Sequence, residues 1–256
     1  AAEFGPLKLK AMRQTWVDER LALKTVNEYA AAVKRAFYWA AENELIPASV
    51  AHGLKMVRHL AKGRDQARET EPVAAVDDAT VDATLPHVPA IVADMIRFQR
   101  LTGARPGEVC NLFAADVQRY SEARKSMLPG RPELPRVKLD VWEWRPRGHK
   151  MQHKGRDRVV MIGPQAQAIV DAYLAKAGDG KCFPYTVAAY RRAIARACER
   201  AYMPAELRKV DRSLPPEQKK AQRKEAEAWR AAHVWHPNQL RHTAATRINA
   251  HFGDDD

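Results

Sequence analysis

Cysteine is scarce in this sequence, and its spacing argues against two kinds of cross-link. The 256 residues include three cysteines, Cys110, Cys182 and Cys198, and no CxxC pair. An odd number of widely spaced cysteines disfavours both a disulfide framework and a structural zinc site. Two histidines in a basic stretch, His149 and His153, rarely form a metal site without a nearby carboxylate or cysteine. We therefore expect no metal, and a reducing compartment, the cytoplasm.

Long apolar runs and phosphate-binding glycine loops are also missing. No run approaches the roughly 18 residues that a membrane-spanning helix requires. The N-terminal stretch AAEFGPLKLK has neither the apolar segment of a signal peptide nor an initiator methionine. The spacings GxGxxG and GxxxxGK do not occur. We expect no membrane association, and we expect the chain to begin inside a longer gene product or after removed residues.

Negative charge is in deficit. There are 31 Asp and Glu against 43 Lys and Arg, which gives a formal net charge of +12. Such an imbalance predicts a polyanionic partner, and nucleic acid is favoured over an acidic membrane surface. The hydrophobic content of 46% is ample for a buried core. The length is that of one large domain or two modest ones.

The first part of the chain has the periodicity of a small helical unit. Apolar spacing predicts helices over 6–18, 25–44 and 48–57. Thr25 is the expected cap of the second helix, and Pro47 marks the start of the third. The stretch 58–71 is polar and charged, which predicts a linker.

The chain after Pro72 alternates between helical and strand patterns. The predicted elements are helix 78–86, helix 89–102, strand 137–144, strand 158–162, helix 165–177, helix 186–203 and helix 215–232. The segment 89–102 is rich in apolar residues and predicts a core helix. The two strands flank the strongly basic stretch RPRGHKMQHKGRD. The fold class predicted for the chain is mainly α with a small antiparallel β-sheet (α+β).

Two short motifs stand out in order along the chain. The first is LTGARPGEV, in which Arg105 is followed three residues later by Glu108. The second is WHPNQLRHTAAT, which contains Arg241, His242 and Thr243. With a basic hairpin between them, these motifs resemble the TG-x-R-x-x-E and H-x-x-R-H-T stretches of the tyrosine recombinase (phage integrase) family. The resemblance covers roughly residues 70–252, and the helices of 6–57 are similar to part of the family's core-binding domain.

The resemblance implies a two-domain architecture like that of DNA breaking-rejoining enzymes. A helical core-binding domain would occupy 1–68, and a catalytic domain without its C-terminal segment would occupy 69–256. The two domains would clamp double-stranded DNA, with the linker crossing the DNA backbone. In the family four protomers assemble on two paired sites. We expect this chain alone to be a monomer, because it ends before the segment that protomers exchange.

The resemblance also implies a reaction. In the family a tyrosine attacks the scissile phosphate and forms a 3′-phosphotyrosyl intermediate, which needs neither a metal nor a nucleotide cofactor. Arg105 and Arg241 would clamp the phosphate oxygens, on which charge builds in the transition state. Glu108 would orient Arg105 or its neighbours. A lysine would protonate the departing 5′ oxygen.

The lysine is ambiguous. Lys150 follows His149, as in related hairpins that read His-Lys, whereas Lys154 lies nearer the turn. We favour Lys150 as the proton donor and keep Lys154 as the alternative. Backbone phosphate binding by both is the plainer possibility.

The sequence departs from the family pattern in its second motif and at its end. Asn238 occupies the position of the usual histidine, and an amide donates a hydrogen bond but cannot shuttle a proton. His236 and His242 are alternative catalytic residues, although His236 is equally typical of a buried or capping histidine. All seven tyrosines precede Arg241, whereas the family nucleophile follows it. We therefore expect this chain to bind DNA without cleaving it.

Several arginines and a lysine are candidate DNA contacts. They are Arg64, Arg68, Arg147, Lys154, Arg156, Arg191 and Arg192. The helix over 186–203 is equally typical of an amphipathic surface helix, and that over 215–232 of a solvated one. Two alternatives to a recombinase remain open: a non-catalytic DNA-binding module or recombination accessory factor, and a relative of type IB topoisomerases.

Overall fold

A computed structural model of the chain describes residues 3–119, 141–147 and 158–252. The contacts divide the chain into two compact units, Ala1–Pro72 and Val73–Asp256. Within the described residues, no helix is both long and apolar enough to cross a membrane.

The first unit is built from helices α1 (Pro6–Asp18), α2 (Leu23–Glu42) and α3 (Ala48–Lys55). Its core consists of Leu9, Ala30, Leu54 and Val57, all of which are buried. Partly buried side chains of α1 and α2 pack around this core, among them Trp16, Val33 and Phe37. The helices predicted over 6–18, 25–44 and 48–57 are confirmed to within two residues at each end.

The cap predicted for α2 is wrong. Thr25 lies inside the helix, and Ala22 is the residue that precedes its first turn. The cause is tertiary: the backbone N–H of Leu23 donates to the carbonyl of Arg68 at 2.8 Å. Ala22 and Arg68 form an isolated bridge between two stretches of extended chain. This pairing sets where the helix begins, so no side-chain cap is needed there.

The stretch 58–71 is not a free linker. Ala67 is buried, and Asn27 of α2 exchanges two hydrogen bonds with the backbone of Leu60, at 3.0 and 2.9 Å. The guanidinium of Arg68 donates to the carbonyl of Arg20 at 3.1 Å. The segment therefore packs as part of the first unit, and the division between the units follows Pro72.

The second unit is mostly helical. Its helices are α4 (Asp78–Thr84), α5 (Ala90–Thr102), α6 (Pro106–Val109), α7 (Pro164–Ala177), α8 (Val187–Tyr202), α9 (Ala205–Arg208), α10 (Pro216–His233) and α11 (Pro237–Phe252). Short 3-10 turns occupy Leu85–His87 and Ala114–Asp116. The exposed character predicted for 215–232 is confirmed, because Ala226 is the buried residue of α10.

A small antiparallel sheet completes the second unit, with strands β1 (Val117–Gln118), β2 (Trp142–Trp144) and β3 (Val160–Ile162) in that order. Val117 pairs with Trp144, and Trp142 pairs with Ile162. The predicted strand 158–162 begins two residues later than expected, and 137–140 of the other strand lie outside the described residues. The predicted fold class, mainly α with a small antiparallel β-sheet, is confirmed.

Helix α5 forms the centre of this unit, as the sequence predicted. Its side chains Val92, Met95, Ile96 and Phe98 are at most 1% exposed. The ring of Phe98 lies 5.9 Å from that of Trp144 in β2. Since α5 also packs on α7 and α11, its C-terminal end is held on several sides, and that end leads directly into the first motif.

A buried amide joins the two motif-bearing regions. Gln99 of α5 is fully buried, and its Nε2 donates to the carbonyls of Ala104 and Pro237 at 3.0 and 2.9 Å. Its Oε1 accepts a hydrogen bond from the hydroxyl of Tyr190 at 3.0 Å. One side chain thus ties the turn before Arg105 to the first residue of α11.

Replacing this amide will destabilise the second unit. Gln99→Leu leaves two carbonyls and one hydroxyl buried without partners, which costs about 2 kcal/mol or more. Tyr190→Phe removes one of these hydrogen bonds and costs about 1 kcal/mol. We expect the melting temperature, followed by circular dichroism, to fall further for Gln99→Leu than for Tyr190→Phe. Equal losses would contradict a role for the amide beyond the contact with Tyr190.

Candidate functional site

Arg105 lies at a turn that only a glycine fits well. Helix α5 ends at Thr102, and Gly103 adopts a left-handed conformation with φ of 61°. An L-residue in this conformation loses roughly 1–2 kcal/mol, and a Cβ there would lie 3.3 Å from the Cβ of Ala244. The glycine therefore permits both the turn and the close approach of α11. Arg105 follows as the N-cap of α6.

Glu108 is the carboxylate of the site. It is 7% exposed, and Arg105 contacts it twice. The backbone N–H of Arg105 donates to Oε2 at 2.7 Å, and Nη1 donates to Oε1 at 2.8 Å. The carboxylate thus caps the first turn of α6 and orients the guanidinium in the same arrangement.

A second arginine, Arg158, forms hydrogen bonds with the same carboxylate. Its Nε donates to Oε1 of Glu108 at 2.6 Å, and its Nη2 donates to Oε2 at 3.0 Å. Burial by itself raises the pKa of Glu108, but the hydrogen bonds from Arg158 and Arg105 outweigh it and hold that pKa below its ordinary value. Glu108 is therefore a carboxylate at neutral pH.

Arg158 is not among the site residues predicted from the sequence. One signal was available, because a buried carboxylate needs several donors and an arginine stands directly before the apolar run VVMI. Arg158 is 50 residues from Glu108 along the chain, so no local pattern joins the two.

Arg241 reaches the site from α11. It is partly buried, and its Nη1 donates to the carbonyl of Gly103 at 2.7 Å. Burial lowers its pKa, as do the positive charges of Arg158 and Arg105, while Glu108 raises it. Arg241 is therefore bonded to the backbone two residues before Arg105, within electrostatic reach of Arg105, Arg158 and Glu108.

The cluster is suited to an anion. Two of its three positive charges have no compensating carboxylate within it. In the described part of the chain, five guanidinium nitrogens of the cluster have no hydrogen-bond partner. They are Nη1 of Arg158, Nε and Nη2 of Arg105, and Nε and Nη2 of Arg241. Planar guanidiniums with free donors bind the oxygens of phosphate well.

The polar face of α11 carries the other residues predicted from the second motif. Leu240, Thr243 and Ala244 are buried, so Asn238 and His242 are exposed on the opposite side. Thr243 fixes the helix, since its hydroxyl donates to the carbonyl of Val76 at 2.8 Å and accepts from the N–H of Val76 at 3.1 Å.

His236 precedes α11 and is exposed, so the interpretation of a buried histidine is wrong. Its backbone N–H donates to Oε1 of Gln239, and its carbonyl accepts from the N–H of Gln239, both at 2.8 Å. The capping is therefore done by its backbone. Among the described residues, the side chains of His236, Asn238 and His242 have no hydrogen-bond partner.

The remaining predicted residues are two lysines and six arginines, and the structure describes five of them. Lys150, Lys154 and Arg156 lie outside the described residues. Arg147 bonds to Oδ1 of Asp116 at 2.7 Å and stacks 4.4 Å above the ring of Phe113. The other candidate DNA contacts are exposed: Arg64 and Arg68 in the first unit, and Arg191 and Arg192 on α8 in the second.

The lowered pKa of Glu108 predicts a pH-dependent contribution to stability. This contribution is complete above the ordinary glutamate pKa of about 4.3 and is lost as the pH falls through the lower folded-state pKa. We expect Glu108→Gln to melt at a lower temperature than the wild type at pH 7, and the gap to close in acid. Melting curves over a pH series test this, and a gap that stays constant down to acid pH would contradict it.

No protein-family model matches the chain, and no curated protein sequence matches it. Solved structures do match. The Tn1549 transposon integrase in complex with circular intermediate DNA is 16% identical, with a TM-score of 0.57 over 99% of this chain and 75% of that one.

Two further structures have the same fold at lower identity. The XerH site-specific recombinase bound to a palindromic difH substrate is 12% identical, with a TM-score of 0.55 over 98% of this chain and 63% of that one. A λ integrase dimer bound to a COC′ core site is 12% identical, with a TM-score of 0.51 over 98% of this chain and 73% of that one. The chain has the fold of the tyrosine recombinases.

Proposed function

We propose that this chain is the DNA-binding and partial catalytic region of a site-specific tyrosine recombinase. The observation that supports the proposal best is the cluster of Arg105, Glu108, Arg158 and Arg241, which lies within a recombinase fold. The predicted tetramer on paired sites and the predicted monomer in solution stay predictions. The proposed compartment is the cytoplasm, in keeping with three buried, free cysteines.

The cluster would act on the scissile phosphate. Negative charge grows on the non-bridging oxygens during attack, and fixed donors aimed at that charge are usually the largest catalytic contribution. Arg105 and Arg241 would clamp these oxygens with the donors that have no partner among the described residues. Glu108 keeps Arg105 in one orientation. Asn238, on the exposed side of α11, would donate a hydrogen bond but move no proton.

The exposed arginines would bind the DNA backbone. On α8, Arg192, Arg196 and Arg200 line one groove, and Arg191 is exposed beside them. In the first unit, Arg64 and Arg68 are exposed as well. Contacts of this kind position a protein on DNA without reading its sequence. They would also make binding strongly dependent on salt, because each neutralised phosphate releases counterions.

The test is covalent capture by the gene product that contains this chain. The substrate is a nicked duplex, selected from a random pool by its binding to the chain, and the readout is a protein–DNA adduct on a denaturing gel. We expect Arg105→Ala or Arg241→Ala to lower the rate of adduct formation about a hundredfold or more, as for other lost oxyanion donors. Arg119→Ala is the control, since Arg119 pairs with Asp171 and lies over Trp142, outside the cluster. A wild-type protein that binds the duplex but forms no adduct would refute the proposal.

The same substrate distinguishes the two candidate lysines. If Lys150 protonates the departing 5′ oxygen, Lys150→Ala will slow cleavage and Lys154→Ala will not. A leaving group that needs no proton, such as a 5′-bridging phosphorothioate, should restore the rate of Lys150→Ala, because a thiolate departs unprotonated. Normal cleavage by Lys150→Ala together with loss in Lys154→Ala would exchange the two assignments.

A second candidate function is a DNA-binding module that does not cleave. Asn238 favours it, because the residue at that position cannot shuttle a proton. This function predicts binding that weakens steeply as salt rises from about 50 to 200 mM, and no adduct at any salt concentration. Adduct formation by the wild-type gene product would exclude it.

A further inference from the structure

Arg158 joins the site from a third part of the fold. Arg105 and Glu108 belong to the turn and short helix after α5, and Arg241 belongs to α11, whereas Arg158 lies two residues before β3. Its side chain is 21% exposed, compared with 38% for Arg105. Of the two arginines that pair with Glu108, Arg158 is therefore the more buried, and it leads into a strand that pairs with β2.

The contact between Arg158 and Glu108 has two points. Nε and Nη2 each meet a different carboxylate oxygen, at 2.6 and 3.0 Å. Together with the two bonds from Arg105, each oxygen accepts two hydrogen bonds. Without Arg158, half of these bonds would vanish and a buried carboxylate would depend on one partly exposed arginine. The orientation of Glu108, and therefore that of Arg105, depends on Arg158.

We propose that Arg158 is a positioning residue of the phosphate site. It holds the Glu108 carboxylate at two points, fixes the Arg105 guanidinium through that carboxylate, and adds positive charge beside Arg241. The proposal rests on the proposed function in one respect, namely that the anion is a DNA phosphate. A lysine could not take this place, because its ammonium is a point charge without the planar fork that matches both oxygens.

The first test uses this chain and inorganic phosphate as the probe. Phosphate is titrated while the guanidinium N–H signals of Arg105 and Arg241 are followed by NMR. We expect Arg158→Gln to weaken phosphate binding at these signals about tenfold, the usual effect of losing a charge-assisted hydrogen bond. Arg158→Lys should be weakened nearly as much, because it keeps the charge but loses the two-point contact. Arg119→Gln, the matched control, also removes an arginine ion pair near the sheet and should leave binding unchanged.

A second readout separates positioning from general destabilisation. The carboxylate signal of Glu108, labelled with ¹³C, is titrated in the same variants. We expect the pKa of Glu108 to rise in Arg158→Gln and Arg158→Lys and to stay constant in Arg119→Gln. Circular dichroism confirms that each variant is folded, and Arg158→Lys serves if Arg158→Gln is not. Any of three results would overturn the proposal. They are wild-type phosphate affinity in Arg158→Lys, a pKa of Glu108 that does not change in the Arg158 variants, and no response of the wild-type N–H signals to phosphate.

The covalent assay keeps this inference distinct from the proposed function. In the gene product, Arg158→Gln should slow adduct formation while DNA affinity stays close to that of the wild type. If the wild type forms adduct and Arg158→Gln forms it equally fast, the role of Arg158 is refuted and the recombinase stands. If the wild type forms no adduct while phosphate binding depends on Arg158 as described, the proposed recombinase function is refuted and the positioning role of Arg158 stands.

Discussion

The carboxylate of Glu108 accepts hydrogen bonds from two arginines that reach it from different parts of the fold. Burying an ionised carboxylate is costly, by several kcal/mol in effective terms, unless its oxygens are paired. Arg105 and Arg158 supply that pairing, so the fold holds a charge whose burial would otherwise be unfavourable. In return the carboxylate fixes two guanidiniums that would repel one another in its absence. The candidate site depends on this mutual stabilisation of one carboxylate and two guanidiniums.

The amide of Gln99 is a second buried side chain that joins separate parts of the fold, and unlike Glu108 it is neutral. It lies fully buried one turn before the end of α5. It forms hydrogen bonds with the turn before Arg105, with the start of α11 and with the hydroxyl of Tyr190 in α8. An amide has both donors and acceptors, so one side chain can satisfy two carbonyls and a hydroxyl. Gln99 sets the distance between the backbones that carry Arg105 and Arg241, and Glu108 sets the direction of the side chain on one of them.

The chain shares its fold with integrases and recombinases at 12–16% sequence identity. A mainly helical core tolerates such divergence, because apolar residues of about the right size at helical spacing suffice to build it. The two arginines are different in kind, since their proposed ligand, a phosphate, would need planar charge at fixed positions. Asn238 lies on the exposed side of α11, where an amide can donate a hydrogen bond but cannot shuttle a proton.

The sequence by itself determined most of the helices, two of the three short strands and the two motifs with Arg105, Glu108 and Arg241, but it did not indicate β1, α9 or α11. These features repeat every two to four residues or lie three residues apart, so local spacing reveals them. Tertiary structure alone decided three others. Arg68 sets the start of α2 from across the first unit, against the local preference for Thr25. Gln99 bonds to Pro237, 138 residues away, and Arg158 completes the pairing of Glu108 from 50 residues away. Such hydrogen bonds have no period along the chain, because folding brings their partners together.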